Sequence, residues 1–257
     1  MTDAHDPAAL LTWIARPLGR RVAPRVMVVV AHPDDETALC GARLGACVRR
    51  RARTVPARTP AHCAQAQFHC GKPPPAAVTL MRSARQVVFR PLPLDENVPL
   101  ADVDGAPLGM RVRAVAAPGK AALHLDGAVP RTPEENVGFV LRADAGAIGY
   151  FPSVAGPSPA VAAALQGCRA VIFDGTFYRD DEMTARGLGA RDARAMAHWP
   201  LGGPDGSLGF LAGLAPRRRL LTHVSNTNPI LVEDSLERRA VEAHGVEVGH
   251  DGVEVLA

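Results

Sequence analysis

The stretch AVIFDGTFY, residues 170–178, decides the fold. Its first four residues are a short, unbroken, largely β-branched and aromatic run, the composition of a strand buried on both faces. The run stops at Asp174, and Gly175 and Thr176 then turn the chain. A buried strand that ends in a carboxylate places that group at a sheet edge, where ligands of α/β sheets collect.

Working outward, the same pattern recurs downstream. Residues 219–222 form a second strand candidate, and His223 follows it directly. Between the two lie AHWP, with His198, and the glycine-rich GGPDGS of residues 202–207. An Asp at one strand end and a His at a later one suit a metal-dependent site, because a carboxylate can bridge two cations and an imidazole can terminate one. Either residue alone reads better as a turn-capping Asp or a hydrogen-bonded loop His. Together, each at the end of a buried strand, they point to a site.

The flanks supply the remaining elements. Residues 87–89, 111–115, 121–125, 137–141 and 147–151 are strand candidates, as are 246–248 and 253–255 near the end. Residues 158–167 predict a short helix with Ser158 as N-cap and Pro159 in the first turn. Residues 206–214 predict another, and 234–244 a third that stops at Gly245.

Bulk properties set the outer limits. The chain has 257 residues, enough for one large domain or two small ones. Hydrophobic residues make up 47% and charged residues 21%, as in soluble globular proteins. The net charge is only +3 and no basic face stands out, which excludes nucleic acid as an expected partner. No run has the ~20 apolar residues a membrane span needs. Five cysteines, an odd number, argue against a disulfide scaffold and for a reducing, cytoplasmic setting. The oligomeric state is not legible.

The N-terminal third reads differently. Residues 8–16 suggest a short helix, residues 25–31 a buried strand and 38–50 a helix interrupted by glycines. The strand runs into His32, Pro33, Asp34, Asp35 and Glu36, an imidazole with spare carboxylates, which suits zinc and an activated water. Residues 51–77 show no helical or strand period and predict a disordered linker. The His62-Cys63 and His69-Cys70 pairs within it lack the usual Cys-x-x-Cys spacing and read as incidental.

Two resemblances follow from these residues. AHPDDET after a strand resembles the start of the PIG-L/LmbE-type deacetylases over about residues 25–47. That likeness implies His32 and Asp35 as zinc ligands and Asp34 as general base. No His-x-x-His segment, which that family requires, occurs among the nine histidines. FDGTFYRDDEM, HVSNTNPIL and EDSLERRAVEAHGVEV resemble the coenzyme PQQ synthesis protein B family, and looser matches extend this over about residues 78–257.

The second resemblance implies an α/β metallo-β-lactamase-like fold, two sheets between helices. It also implies pyrroloquinoline quinone (PQQ) biosynthesis: an iron-dependent, oxygen-using hydroxylation of a tyrosine-derived precursor, or transport of PQQ or its precursor. The expected cofactor is iron or zinc, and the expected partner a small-molecule or peptide-derived PQQ precursor. Asp174 and His223 would line the metal, His198 would be catalytic, and Asn226 and Asn228 would contact substrate.

The family's Cys-rich zinc segment and its first-half His- and Asp-containing metal motif do not occur here. The expectation is therefore an incomplete αββα fold, truncated or fused. Residues 1–50 would form a Rossmann-like strand-loop-helix fragment, 51–77 a linker and 78–257 the PQQ synthesis protein B-like region. The alternatives are a zinc-dependent N-acetyl sugar deacetylase, a non-catalytic fusion remnant, or a composite site joining His32 and Asp35 to Asp174 and His223.

Overall fold

The computed structural model describes residues 65–69, 87–101, 106–120, 136–216 and 218–255. Two compact units divide the chain: Met1–Phe68 with Pro73–Arg90, and His69–Lys72 with Pro91–Ala257. In the chain's first described segment, β1 (Gln65–His69) pairs with β2 (Val87–Pro91) in a two-stranded sheet. β1 falls within residues 51–77, read from sequence as a linker, and the rest of that range lies outside the described residues. QAQFH has no β-branched residue to announce a strand, and here ladder pairing decides the conformation where intrinsic propensity is weak.

The second unit is built on a seven-stranded mixed sheet whose strands lie in chain order: β3 (Val98–Ala101), β4 (Pro107–Ala116), β5 (Val137–Ala143), β6 (Gly146–Phe151), β7 (Ala170–Asp174), β8 (Arg218–Thr222) and β9 (Glu247–Val248). β3 to β6 pair antiparallel, and β6 to β9 pair parallel. Each parallel step requires a crossover. The first carries helix α1 (Pro159–Gln166), the second helix α2 (Ser207–Ala212), and the third helix α3 (Leu236–Ala243).

α1 starts as the sequence predicts, with Ser158 as its cap, and α3 is capped in the same way by Ser235. Ser158 Oγ accepts from Val161 N, and Ser235 Oγ accepts from Arg238 N. The helix buries Val161, Ala164 and Leu165, spaced three and four apart on one stripe. These join Phe151, Val171, Phe173, Leu211, Leu221, Ile230 and Val241 in one core cluster. Phe151, Phe173 and Leu165 are fully buried, each contributing about 1.5–3 kcal/mol of burial. Among the described residues no helix is long and apolar enough to cross a membrane.

Gly149 on β6 lets α1 sit against the sheet: a Cβ there would lie 2.3 Å from Leu165 Cδ2. Gly149→Ala gains strand propensity but forces Leu165 out of its rotamer in a packed core. Overpacking outweighs the ~0.5–1 kcal/mol that losing a glycine returns. The expected result is a net destabilisation of about 1–2 kcal/mol, read as a lower urea midpoint with an unchanged slope.

Three further differences from the sequence reading have local causes. β3 is unannounced because Pro99 interrupts it, which is tolerated on an edge strand. Residues 253–255 form no strand. Gly252 turns the chain at φ +82°, and Arg218 Nη1 donates to Glu254 O in place of ladder bonds. The helices at 206–214 and 234–244 are shorter at their ends. The elements read at 8–16, 25–31, 38–50 and 121–125 lie outside the described residues.

Candidate metal centre

The parallel half of the sheet sets the geometry. Asp174, the last residue of β7, pairs with Thr222, the last residue of β8. His223 is the next residue, so carboxylate and imidazole arrive at neighbouring strand ends. His198 comes from the β7–β8 crossover, just after the 3-10 turn Arg194–Met196. Trp199 N donates to Val154 O at 2.7 Å and Leu201 N to Phe177 O at 3.0 Å, which stitch that crossover to the strand ends.

Asp174, His198 and His223 each offer a ligand atom, all within 4.8 Å of one another. The His198 and His223 ring centroids are 5.3 Å apart, and Phe177 packs against His198 in a T-shaped arrangement at 5.9 Å. Asp174 is 1% exposed. Its Oδ2 accepts from Val154 N at 2.9 Å and lies 2.8 Å from His198 Nδ1. Its Oδ1 accepts from Thr176 N at 3.0 Å and from Thr176 Oγ1 at 2.6 Å. Thr176 Oγ1 also lies 2.8 Å from His223 Nδ1.

Backbone strain marks the same place. Ala197 and His223 adopt left-handed φ values of 65° and 57°. Such conformations are uncommon for residues with a Cβ and cluster at functional sites. Next to Asp174, Gly175 is required by close packing: a Cβ there would meet Leu221 Cβ at 2.8 Å and Thr222 O at 3.1 Å.

A second network supports the first. Asn228 is buried, its Nδ2 donates to Gly175 O and Thr176 O, and its Oδ1 accepts from Ile230 N. The fully buried Glu182 accepts from Tyr178 N at 2.9 Å and Thr227 Oγ1 at 2.7 Å. Ser225 Oγ lies 2.8 Å from Thr227 Oγ1. Burial, with Glu237 adding to it, pushes the Tyr178 hydroxyl above its ordinary pKa.

Of the residues singled out in sequence, the structure brings Asp174, His198 and His223 together. Asn226 is exposed in the loop after His223. Asn228, expected to contact substrate, has both amide hydrogens engaged by backbone carbonyls and acts as a strut in this structure. His32, Asp34 and Asp35 lie outside the described residues, and the composite site with them. Sequence reasoning missed Thr176, Glu182, Ser225 and Thr227. The only signal for Thr176 is its place two residues after a strand-ending Asp.

The donors fit a divalent cation. Two imidazoles and one carboxylate form a set used both by catalytic zinc and by non-haem iron. Asp174 and His198 are buried and His223 half-buried, and Phe177 and Val154, which contact His198 and Asp174, are buried too.

Comparison with known proteins bears on the family and the fold. A family model described as "Beta-lactamase superfamily domain" matches residues 18–224. The chain is 37% identical over 171 residues to coenzyme PQQ synthesis protein B of Methylobacterium sp. (strain 4-46), covering 65% of this chain and 55% of that one. It is 42% identical over 150 residues to the protein of the same name from Rhizobium meliloti (strain 1021), covering 57% and 49%. The chain thus spans about half the length of the curated relatives it matches.

Among solved structures, Zn(2+)-bound PqqB from Methylobacterium extorquens superposes with a TM-score of 0.63 at 30% identity, covering 76% of this chain and 65% of that one. The metallo-beta-lactamase fold protein YhfI from Bacillus subtilis gives 0.52 at 11% identity, a likeness of fold alone. The deacetylase resemblance of residues 25–47 gains no support, since the family model runs through those residues.

Proposed function

The chain belongs to the beta-lactamase superfamily, and from that premise we propose that it acts in PQQ biosynthesis through a metal centre held by Asp174, His198 and His223. The observation that carries the reading is the convergence of these three side chains at the carboxyl end of parallel strands. The relatives named coenzyme PQQ synthesis protein B supply the pathway. Within it, the reaction we favour is iron-dependent, oxygen-using hydroxylation of a tyrosine-derived precursor. The two-imidazole, one-carboxylate set suits iron as it suits zinc, and it would leave coordination positions open for oxygen and substrate.

A bound cation supplies Lewis-acid chemistry there, and iron adds electron transfer to oxygen. The chain's own groups do the rest. Asp174 brings negative charge to the edge and orients His198. His223 is held by the turn after β8 and by Thr176. Phe177 keeps water from one flank of His198.

The test is metal analysis of the full chain after loading with ferrous iron or with zinc. Wild type is expected to retain close to one equivalent. His223→Ala is expected to bind at least about 10-fold more weakly, since it removes one of three protein ligands. Metal content unchanged in His223→Ala and His198→Ala removes this centre from consideration.

A further inference from the structure

Thr176 carries one hydroxyl proton and two lone pairs, and the structure surrounds it with three partners. The proton goes to Asp174 Oδ1 at 2.6 Å, the shortest of the contacts. The hydroxyl can then only accept from the others, His223 Nδ1 at 2.8 Å and His198 Nδ1 at 3.2 Å. His198 Nδ1 also faces Asp174 Oδ2 at 2.8 Å. A hydrogen-bonded Nδ1–H leaves the lone pair of a neutral imidazole on Nε2, and that choice fixes which nitrogen can ligate a metal.

The hydroxyl is itself held rigidly. Thr176 N donates to Asp174 Oδ1, and Thr176 O accepts from Ser225 N at 3.1 Å and from Asn228 Nδ2 at 3.2 Å. Thr176 is 7% exposed, so water does not compete freely for its hydroxyl. A side chain pinned at both ends of its peptide and aimed at three groups has a defined proton direction.

We infer that Thr176 is a positioning residue that sets His223, and helps to set His198, in the Nδ1–H tautomer, so that both present Nε2 to the cation. The metal half of this statement rests on the centre proposed above, whereas the tautomer half stands on the hydrogen bonds alone. The two histidines should respond differently to losing the hydroxyl. His198 keeps the carboxylate of Asp174 as acceptor, whereas the 2.8 Å contact of His223 Nδ1 is with the Thr176 hydroxyl itself.

Long-range proton–nitrogen correlation spectra of the metal-free, full-length chain, at a pH where the imidazoles are neutral, read the tautomers directly. His198→Gln and His223→Gln assign the signals. Wild type is expected to show Nδ1–H at both residues. Thr176→Val, nearly isosteric, is expected to shift His223 toward the Nε2–H form and leave His198 in place, and Thr176→Ser is expected to restore the wild-type pattern. Zinc titration against a chromophoric chelator should show about 10–100-fold weaker binding for Thr176→Val and near-normal binding for Thr176→Ser.

An Nε2–H signal at His223 in wild type overturns the inference, whether or not the valine variant folds. So does Thr176→Val with the His223 tautomer and zinc affinity of wild type. Wild type with both Nδ1–H signals but no zinc binding overturns the metal-centre reading and supports the tautomer assignment.

Discussion

Asp174→Ala is expected to be the most damaging single substitution in the described part of the chain, lowering stability by about 3–5 kcal/mol and metal content to background. The carboxylate makes four hydrogen-bond contacts: with Val154 N and His198 Nδ1 on one oxygen, and with Thr176 N and Thr176 Oγ1 on the other. Alanine leaves two backbone N–H groups and an imidazole N–H facing an apolar methyl. Each such loss in a buried place costs about 1–3 kcal/mol. At about 2–4 °C per kcal/mol, the melting temperature should fall by roughly 6–20 °C.

Asp174→Asn separates charge from shape. The amide keeps the volume and one accepting oxygen, yet its NH2 must face either Val154 N–H and His198 or the two Thr176 donors. Donor against donor is repulsive, so the asparagine variant should be unstable too, though less so than alanine. Thermal melting of both variants beside wild type, with metal content on the same samples, checks the order. Equal stability of all three would mean that the four hydrogen bonds do not form in solution.

Much of this arrangement is legible in sequence, and the boundary is physical. AVIFD and the run before His223 announce themselves because a strand buried on both faces must be apolar throughout. The end of such a run shows where polar side chains emerge, which is how Asp174 and His223 stand out. Ser158 and Pro159 locate α1 because capping is local chemistry. Thr176, Glu182 and Asn228 are different. Their partners lie 45 to 53 residues away in sequence for the key contacts, from Thr227 to Glu182 and from Asn228 to Gly175. Nothing in local pattern tells a hydroxyl that caps a turn from one that orients two imidazoles. Asn228 shows the converse: a polar residue beside a site invites a substrate role, while burial and three hydrogen bonds make it a strut here. β3 and β1 escaped because Pro99 and the Gln-Ala-Gln composition suppress the usual strand signal, and pairing supplies what propensity lacks.

Glu182→Ala should be the second most costly change, about 2–4 kcal/mol, although Glu182 is not among the clustered metal ligands. Its carboxyl group is fully buried and joins the segment after β7 to the loop after β8. Alanine opens a cavity, strands Tyr178 N–H and leaves the Thr227 hydroxyl to turn toward Ser225 Oγ, so the bridge between the two loops is lost. Glu182→Gln should be far milder, at about 1 kcal/mol. With its amide oxygen on Tyr178 N, its NH2 can donate to Thr227 Oγ1. Thr227 then turns its proton toward Ser225 Oγ, 2.8 Å away, and the Ser225 hydroxyl reorients. Two rotatable hydroxyls make the glutamine tolerable where Asp174, bonded to two fixed backbone N–H groups, has no such freedom. Because Thr227 adjoins Asn228, which clamps Thr176, Glu182→Ala should also weaken zinc binding several-fold, while Glu182→Gln should leave it near normal. Chemical denaturation and zinc titration of the two variants test this together. Glutamine as damaging as alanine would show that the carboxylate's charge, and not its hydrogen-bonded bridge, holds the two loops in place.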